Sequence, residues 1–172
     1  MRPYRRSGKV DAGSAAACFR AIDVFHGSGG VLLTKTSPTQ LNRARRLLAH
    51  EGAADSAAAS SASVASRVYD KLLTHMAPLV GDSGVHLLFV RSALLARGEF
   101  DWLAEVSTLE GSTQLREYLH DQKLSITAES AAVLFGNFFT LMTIFVGERL
   151  VTQVLRVAWP AFEEAAIQEK HK

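Results

Sequence analysis

The sequence predicts an all-α fold, a bundle of four or five helices around one long apolar helix, preceded by a flexible or small α+β N-terminal segment. Three observations predict it. From position 64 onward apolar residues recur at three- and four-residue spacing. All four prolines, at positions 3, 38, 78 and 160, fall at ends or joints of those periodic stretches. The last stretch contains residues 130–147, 18 residues without a charge.

The first 16 residues are basic and then small, and read as disordered. In residues 19–33, Phe19, Ile22, Val24, Phe25, Val31, Leu32 and Leu33 surround Gly27-Ser28-Gly29-Gly30. That pattern suits two short strands about a glycine turn, which would need a partner to be stable. Ser37-Pro38-Thr39-Gln40 has the form of a helix start, with Ser37 as cap, Pro38 at the first helical position and Gln40 at capping-box spacing. The helix is expected to run through Leu41, Ala44, Leu47 and Leu48 to Gly52. Residues 53–66 are almost all Ala and Ser and place a domain boundary at 58, so that 1–58 is an N-terminal segment and 59–172 the bundle.

Val64, Val68, Leu72 and Met76 then form one helix face, ended by Pro78. Gly81-Asp82-Ser83-Gly84 is a turn in which Asp82 or Ser83 caps the next helix. That helix, with Val85, Leu87, Leu88, Phe89, Val90, Leu94 and Leu95, is apolar over most of its circumference and is expected to be largely buried. A short turn holds Trp102 and Leu103. Residues 113–122 form a short helix with Leu115, Tyr118 and Leu119 inward. The longest helix is expected from Thr127, as cap with Ser130 three residues on, to Ala158, with Trp159-Pro160 as its stop. A further short helix is expected over 161–170.

Composition narrows the function classes. Hydrophobic residues are 48% and charged residues 21%, which suits a globular chain. Residues 1–52 hold nine Lys/Arg against three Asp/Glu, whereas 53–172 hold ten against fourteen. The expected folded part is therefore mildly acidic, the wrong sign for gripping duplex nucleic acid. A single cysteine, Cys18, makes no internal disulfide and no four-cysteine metal site, and a cytoplasmic location is expected. The arginine-rich start lacks the apolar core of a secretory signal; it has the composition of an organelle transit peptide without an obvious amphipathic helix. Residues 130–147 would span roughly 27 Å as a helix, enough for a thin bilayer. Asn137, Thr140, Thr143, two glycines and an amphipathic continuation favour a central bundle helix instead.

No cofactor or metal is expected. None of the six histidines stands three to five residues from another, although His75 and His86 flank one turn. Gly81-Asp82-Ser83-Gly84 spells a serine-protease tetrapeptide, but between helices it reads as a turn. Gly27-Ser28-Gly29-Gly30 lacks the following helix a phosphate loop needs. Arg43, Arg45 and Arg46 form a basic patch, read as a solvated helix face or as a contact for nucleic acid, acidic lipid or an acidic protein surface. Asn137 and Glu148 lie 11 residues apart, so on a continuous helix they share a face. Buried there they need partners, for which Arg91 is a candidate. With Phe138, Phe139, Met142 and Phe145 they could line an apolar ligand pocket, though such aromatic stripes are commonly plain core.

The stretches Val68-Tyr69-Asp70-Lys71-Leu72 to Ala77-Pro78-Leu79-Val80-Gly81, and Phe145-Val146-Gly147-Glu148-Arg149-Leu150 to Ala158-Trp159-Pro160, resemble a small helical domain of uncharacterised bacterial proteins, some of them multidomain signalling proteins. The resemblance covers about 64–160, carries no catalytic motif, and implies a bacterial cytoplasmic regulatory or interaction domain. The function expected is a non-enzymatic regulatory or protein-interaction module acting as a homodimer. The alternatives are a small-molecule sensor and a protein anchored in a membrane through 130–147.

Overall fold

The computed structural model describes residues 36–54, 59–121 and 126–162. The N-terminal basic stretch, the hairpin expected over 19–33 and most of the helix expected over 161–170 lie outside them. The fold is all-α: among the described residues there are seven helices and no strand. They are α1 (Pro38–Ala53), α2 (Ser61–Val80), α3 (Asp82–Ala96), α4 (Asp101–Val106), α5 (Ser112–Asp121), α6 (Ala128–Val146) and α7 (Glu148–Ala158).

α6 is the centre. Every residue from Ser130 to Phe139 is buried, and α1, α2, α3 and α7 pack around it. Its start follows the sequence closely. The Thr127 hydroxyl accepts the Ser130 N–H at 3.1 Å, and Ser130 Oγ accepts the Thr127 N–H at 3.0 Å, a reciprocal cap. The aromatic core hangs from α6. Phe89 of α3 stacks on Phe138 with centroids 4.1 Å apart, and meets Phe135 and Tyr69 edge-on at 5.6 and 4.9 Å.

α1 belongs to this core rather than to a segment ahead of it. Ala44 and Leu47 are fully buried, and all seven helices fall in one compact unit, so the boundary expected at residue 58 is displaced. Within the Ala/Ser stretch Ala62 and Ala65 are fully buried on α2. α1 and α6 touch backbone to backbone at Gly136. A Cβ there would stand 2.8 Å from Thr36 Cγ2 and 3.1 Å from the Leu41 Cα. Gly136→Ala should therefore force the two helices apart and cost about 1–3 kcal/mol, read as a lower urea midpoint with an unchanged slope. Ser37 makes no side-chain cap, because Gln40 faces inward instead: its Nε2 donates to Thr143 Oγ1 at 3.4 Å across the α1–α6 contact.

Four further expectations are corrected. Pro78 does not end α2; it sits in the last turn, where it forfeits one backbone bond, and Gly81 at φ +80° ends the helix three residues later. Neither Asp82 nor Ser83 caps α3 through its side chain; the Asp82 carboxylate accepts the Ser112 hydroxyl and ties α3 to α5. α3 is less buried than expected, since Leu87 is 47% exposed and Arg91 is open to solvent. Finally, the helix expected from Thr127 to Ala158 is two helices. Gly147, at φ +90° and ψ 150°, breaks it and turns α7 back onto the bundle. Only glycine adopts that backbone region readily.

Candidate functional site

The break at Gly147 dissolves the pocket expected from the sequence. With the helix bent, Asn137 and Glu148 no longer share a face. The Asn137 amide is fully engaged in the core: its Oδ1 accepts the Thr36 hydroxyl at 2.6 Å, and its Nδ2 donates to the Ser92 carbonyl at 3.3 Å. Its partner on α3 is thus the backbone next to Arg91, not the Arg91 guanidinium. Phe138, Phe139 and Met142 are buried core, at most 1% exposed. Phe145 faces the opposite way, 61% exposed, and beside it Ile144 is 57% exposed. A hollow of about 340 Å³ does exist, but elsewhere, between the C-terminal half of α1 and the starts of α2 and α6, lined by Leu48, Val64 and Ala131 with the Arg45–Glu129 pair.

The basic patch is paired within the chain. Arg43 lies 3.6 Å from Glu148, so the carboxylate expected in the pocket instead closes an ion pair from α7 to α1. Arg45 holds Glu129 with two nitrogens, Nε donating to Oε2 at 3.0 Å. The pair raises the Arg45 pKa and, chiefly through its hydrogen bond, holds the Glu129 carboxyl below the usual range. The Arg46 guanidinium carbon stands 5.7 Å from the Phe162 ring centre. His86 is drawn to the loop before α5 rather than toward His75: its Nε2 accepts the Gly111 N–H at 2.9 Å.

Beyond Gly147 the chain forms a docked arm. α7 buries Val151, Val154 and Leu155, and the turn after it buries Trp159 and Phe162. The anchor is Glu51, a carboxylate only 4% exposed. Its Oε2 accepts the Trp159 indole N–H and the Lys71 ammonium, both at 2.7 Å, and its Oε1 accepts Arg67 Nε at 3.3 Å. Arg67 also donates to the Glu51 carbonyl at 3.1 Å, and Lys71 lies 5.4 Å from the Trp159 ring centre. Burial pushes the Glu51 carboxyl up. The bonds from Lys71 and Trp159, the Lys71 charge and the Arg67 bond together outweigh it and hold the carboxyl below its usual value. Phe162 closes the arm between Arg46 and His50, whose ring centre is 5.8 Å away.

The sequence did carry a trace of this anchor. Ala44, Leu47, Leu48 and Glu51 stand at helical spacing, so a carboxylate occupies the apolar stripe of α1. Its partners Arg67, Lys71 and Trp159 lie beyond the Ala/Ser stretch, 16, 20 and 108 residues further on.

α6 is the one described helix long and apolar enough to cross a membrane, and 67% of its most apolar window is buried inside the protein. Its apolarity over Ser130 to Met142 is thus used by α1, α3 and the rest of the bundle. No protein-family model, curated protein or solved structure matches this chain.

Proposed function

We propose that the chain is a non-enzymatic regulatory or interaction module that acts as a homodimer. One observation carries it: Ile144 and Phe145, two large apolar side chains more than half exposed, stand side by side at the end of a helix otherwise consumed by the core. The same helix could have turned those positions polar at no cost to the fold, and paired exposed apolar groups of this size suit a contact with another protein surface. The resemblance over 64–160 supports the regulatory role and a cytoplasmic location.

Sedimentation velocity of the full chain without detergent tests it. A dimer is expected whose dissociation constant rises roughly thirtyfold or more on Phe145→Asp, as for loss of a central aromatic contact. Because Phe145 is exposed, that substitution should leave the circular dichroism and melting of the monomer nearly unchanged. A monomer at every concentration would overturn the proposal.

A further inference from the structure

We infer that the C-terminal arm, α7 with Trp159 and Phe162, is an exchangeable element, and that the partner it fits is a second copy of this chain. The inference rests on the homodimer proposed above and specifies how the dimer forms: Gly147 straightens, and each arm docks on the Glu51–Arg67–Lys71 anchor of the other copy.

Four features point there. The connection is a single residue. Gly147 alone separates the last residue of α6 from the first of α7, so one change of backbone conformation frees the whole arm. The sequence around Gly147 is compatible with the straight form. Residues 128–158 contain no proline, and the hydrogen-bond frame already resumes on each side of the break: the Gly147 N–H donates to Thr143 at 3.1 Å and the Val151 N–H to Gly147 at 3.3 Å. α7 has no side-chain cap. Straightening would let the N–H groups of Glu148, Arg149 and Leu150 reach the carbonyls of Ile144, Phe145 and Val146.

The third feature is the stripe that straightening creates. On one continuous helix Thr140, Ile144 and Gly147 extend the docking stripe of Val151, Val154 and Ala158 in alternating four- and three-residue steps, so the face that meets the other copy lengthens toward Ile144. Ile144, 57% exposed while the helix is bent, would then share a face with Val151 and Val154. The fourth is that the receiving site is fully formed. It already fits this arm, down to the indole bond to Glu51 and the seat of Phe162 between Arg46 and His50, so docking in trans loses none of those contacts.

Two measurements test the exchange. A Cβ on Gly147 meets nothing within 4 Å, so Gly147→Ala is penalised in the bent form by its positive φ alone and welcomed in the straight one. The helix preference of alanine over glycine is about fivefold per site, and with two hinges per dimer the association constant should rise roughly thirtyfold or more. No rise, in a variant that keeps its helical circular dichroism, would overturn the hinge. The second uses the unaltered full chain. Equal amounts of ¹³C,¹⁵N-labelled and unlabelled protein are refolded together, and isotope-filtered contacts are recorded from the Trp159 indole N–H. Contacts from a labelled Trp159 to α1 and α2 of an unlabelled chain are expected. A dimer that shows those contacts only within one chain overturns the exchange and leaves the homodimer standing, whereas a monomer overturns both.

Discussion

Alanine in place of Glu51 is expected to cost about 2–4 kcal/mol of folding stability, a fall of roughly 10 °C in Tm. The carboxylate is buried and satisfies three donors, on α2 and on the arm. Removing it leaves the Trp159 indole N–H buried without an acceptor and brings Arg67 and Lys71 together with no anion between them. Both cations are more than a third exposed, at 35% and 43% of their side chains, so water screens part of that repulsion and holds the cost below that of a fully buried pair. The same site sets a pH dependence. The folded carboxyl titrates below its unfolded value near 4.3, so its contribution is complete above that pH and is lost as pH falls through the lower folded value. In Glu51→Ala this part of the acid dependence should vanish, with Trp159 fluorescence reporting release of the arm. Urea titrations at pH 7 and pH 3 measure both effects, and equal acid sensitivity in the two proteins would refute the assignment.

Phe89→Ala should be costlier still, about 3–5 kcal/mol. Phe89 is fully buried and joins three rings from two other helices: Tyr69 of α2, with Phe135 and Phe138 of α6. Truncation leaves a cavity against each, and the lost ring contacts add to the loss of buried area. Because Phe89 and Phe138 share one stack, Phe89→Ala with Phe138→Ala should cost less than the two single losses together. Denaturant unfolding of the four proteins gives the coupling directly. Additive losses would mean the stacked pair contributes no more than its area.

The parts of this fold that sequence made visible are those governed by local chemistry. The Thr127–Ser130 cap, the apolar face through Val68, Leu72 and Met76, and the burial of α6 from Ser130 to Phe139 each follow from residues within a few turns of one another. What stayed hidden depends on distant partners or on one dihedral. Nothing near Gly147 distinguishes a tolerated helical glycine from a break, yet its positive φ decides whether Asn137 and Glu148 share a face. Glu51 and Trp159 are 108 residues apart, and neither announces the other. The exposed pair Ile144–Phe145 was obscured for the opposite reason: an apolar residue at the end of an apolar run reads as core until the covering helices are placed.

The α1–α6 contact has a consequence for synthesis. Thr36 and Gln40 hydrogen-bond to residues 101 and 103 positions later, and the packing at Gly136 joins the first described helix to the middle of the sixth. During translation at about 5–20 residues per second, α1 therefore emerges roughly 5–20 s before the surface that shelters Leu47 and Leu48 exists. The central helix, against which α1, α2, α3 and α7 pack, is among the last large pieces of the core to leave the ribosome. The nascent chain consequently carries an unfinished bundle for most of its synthesis, and folding rate should be limited by that long-range closure rather than by helix formation.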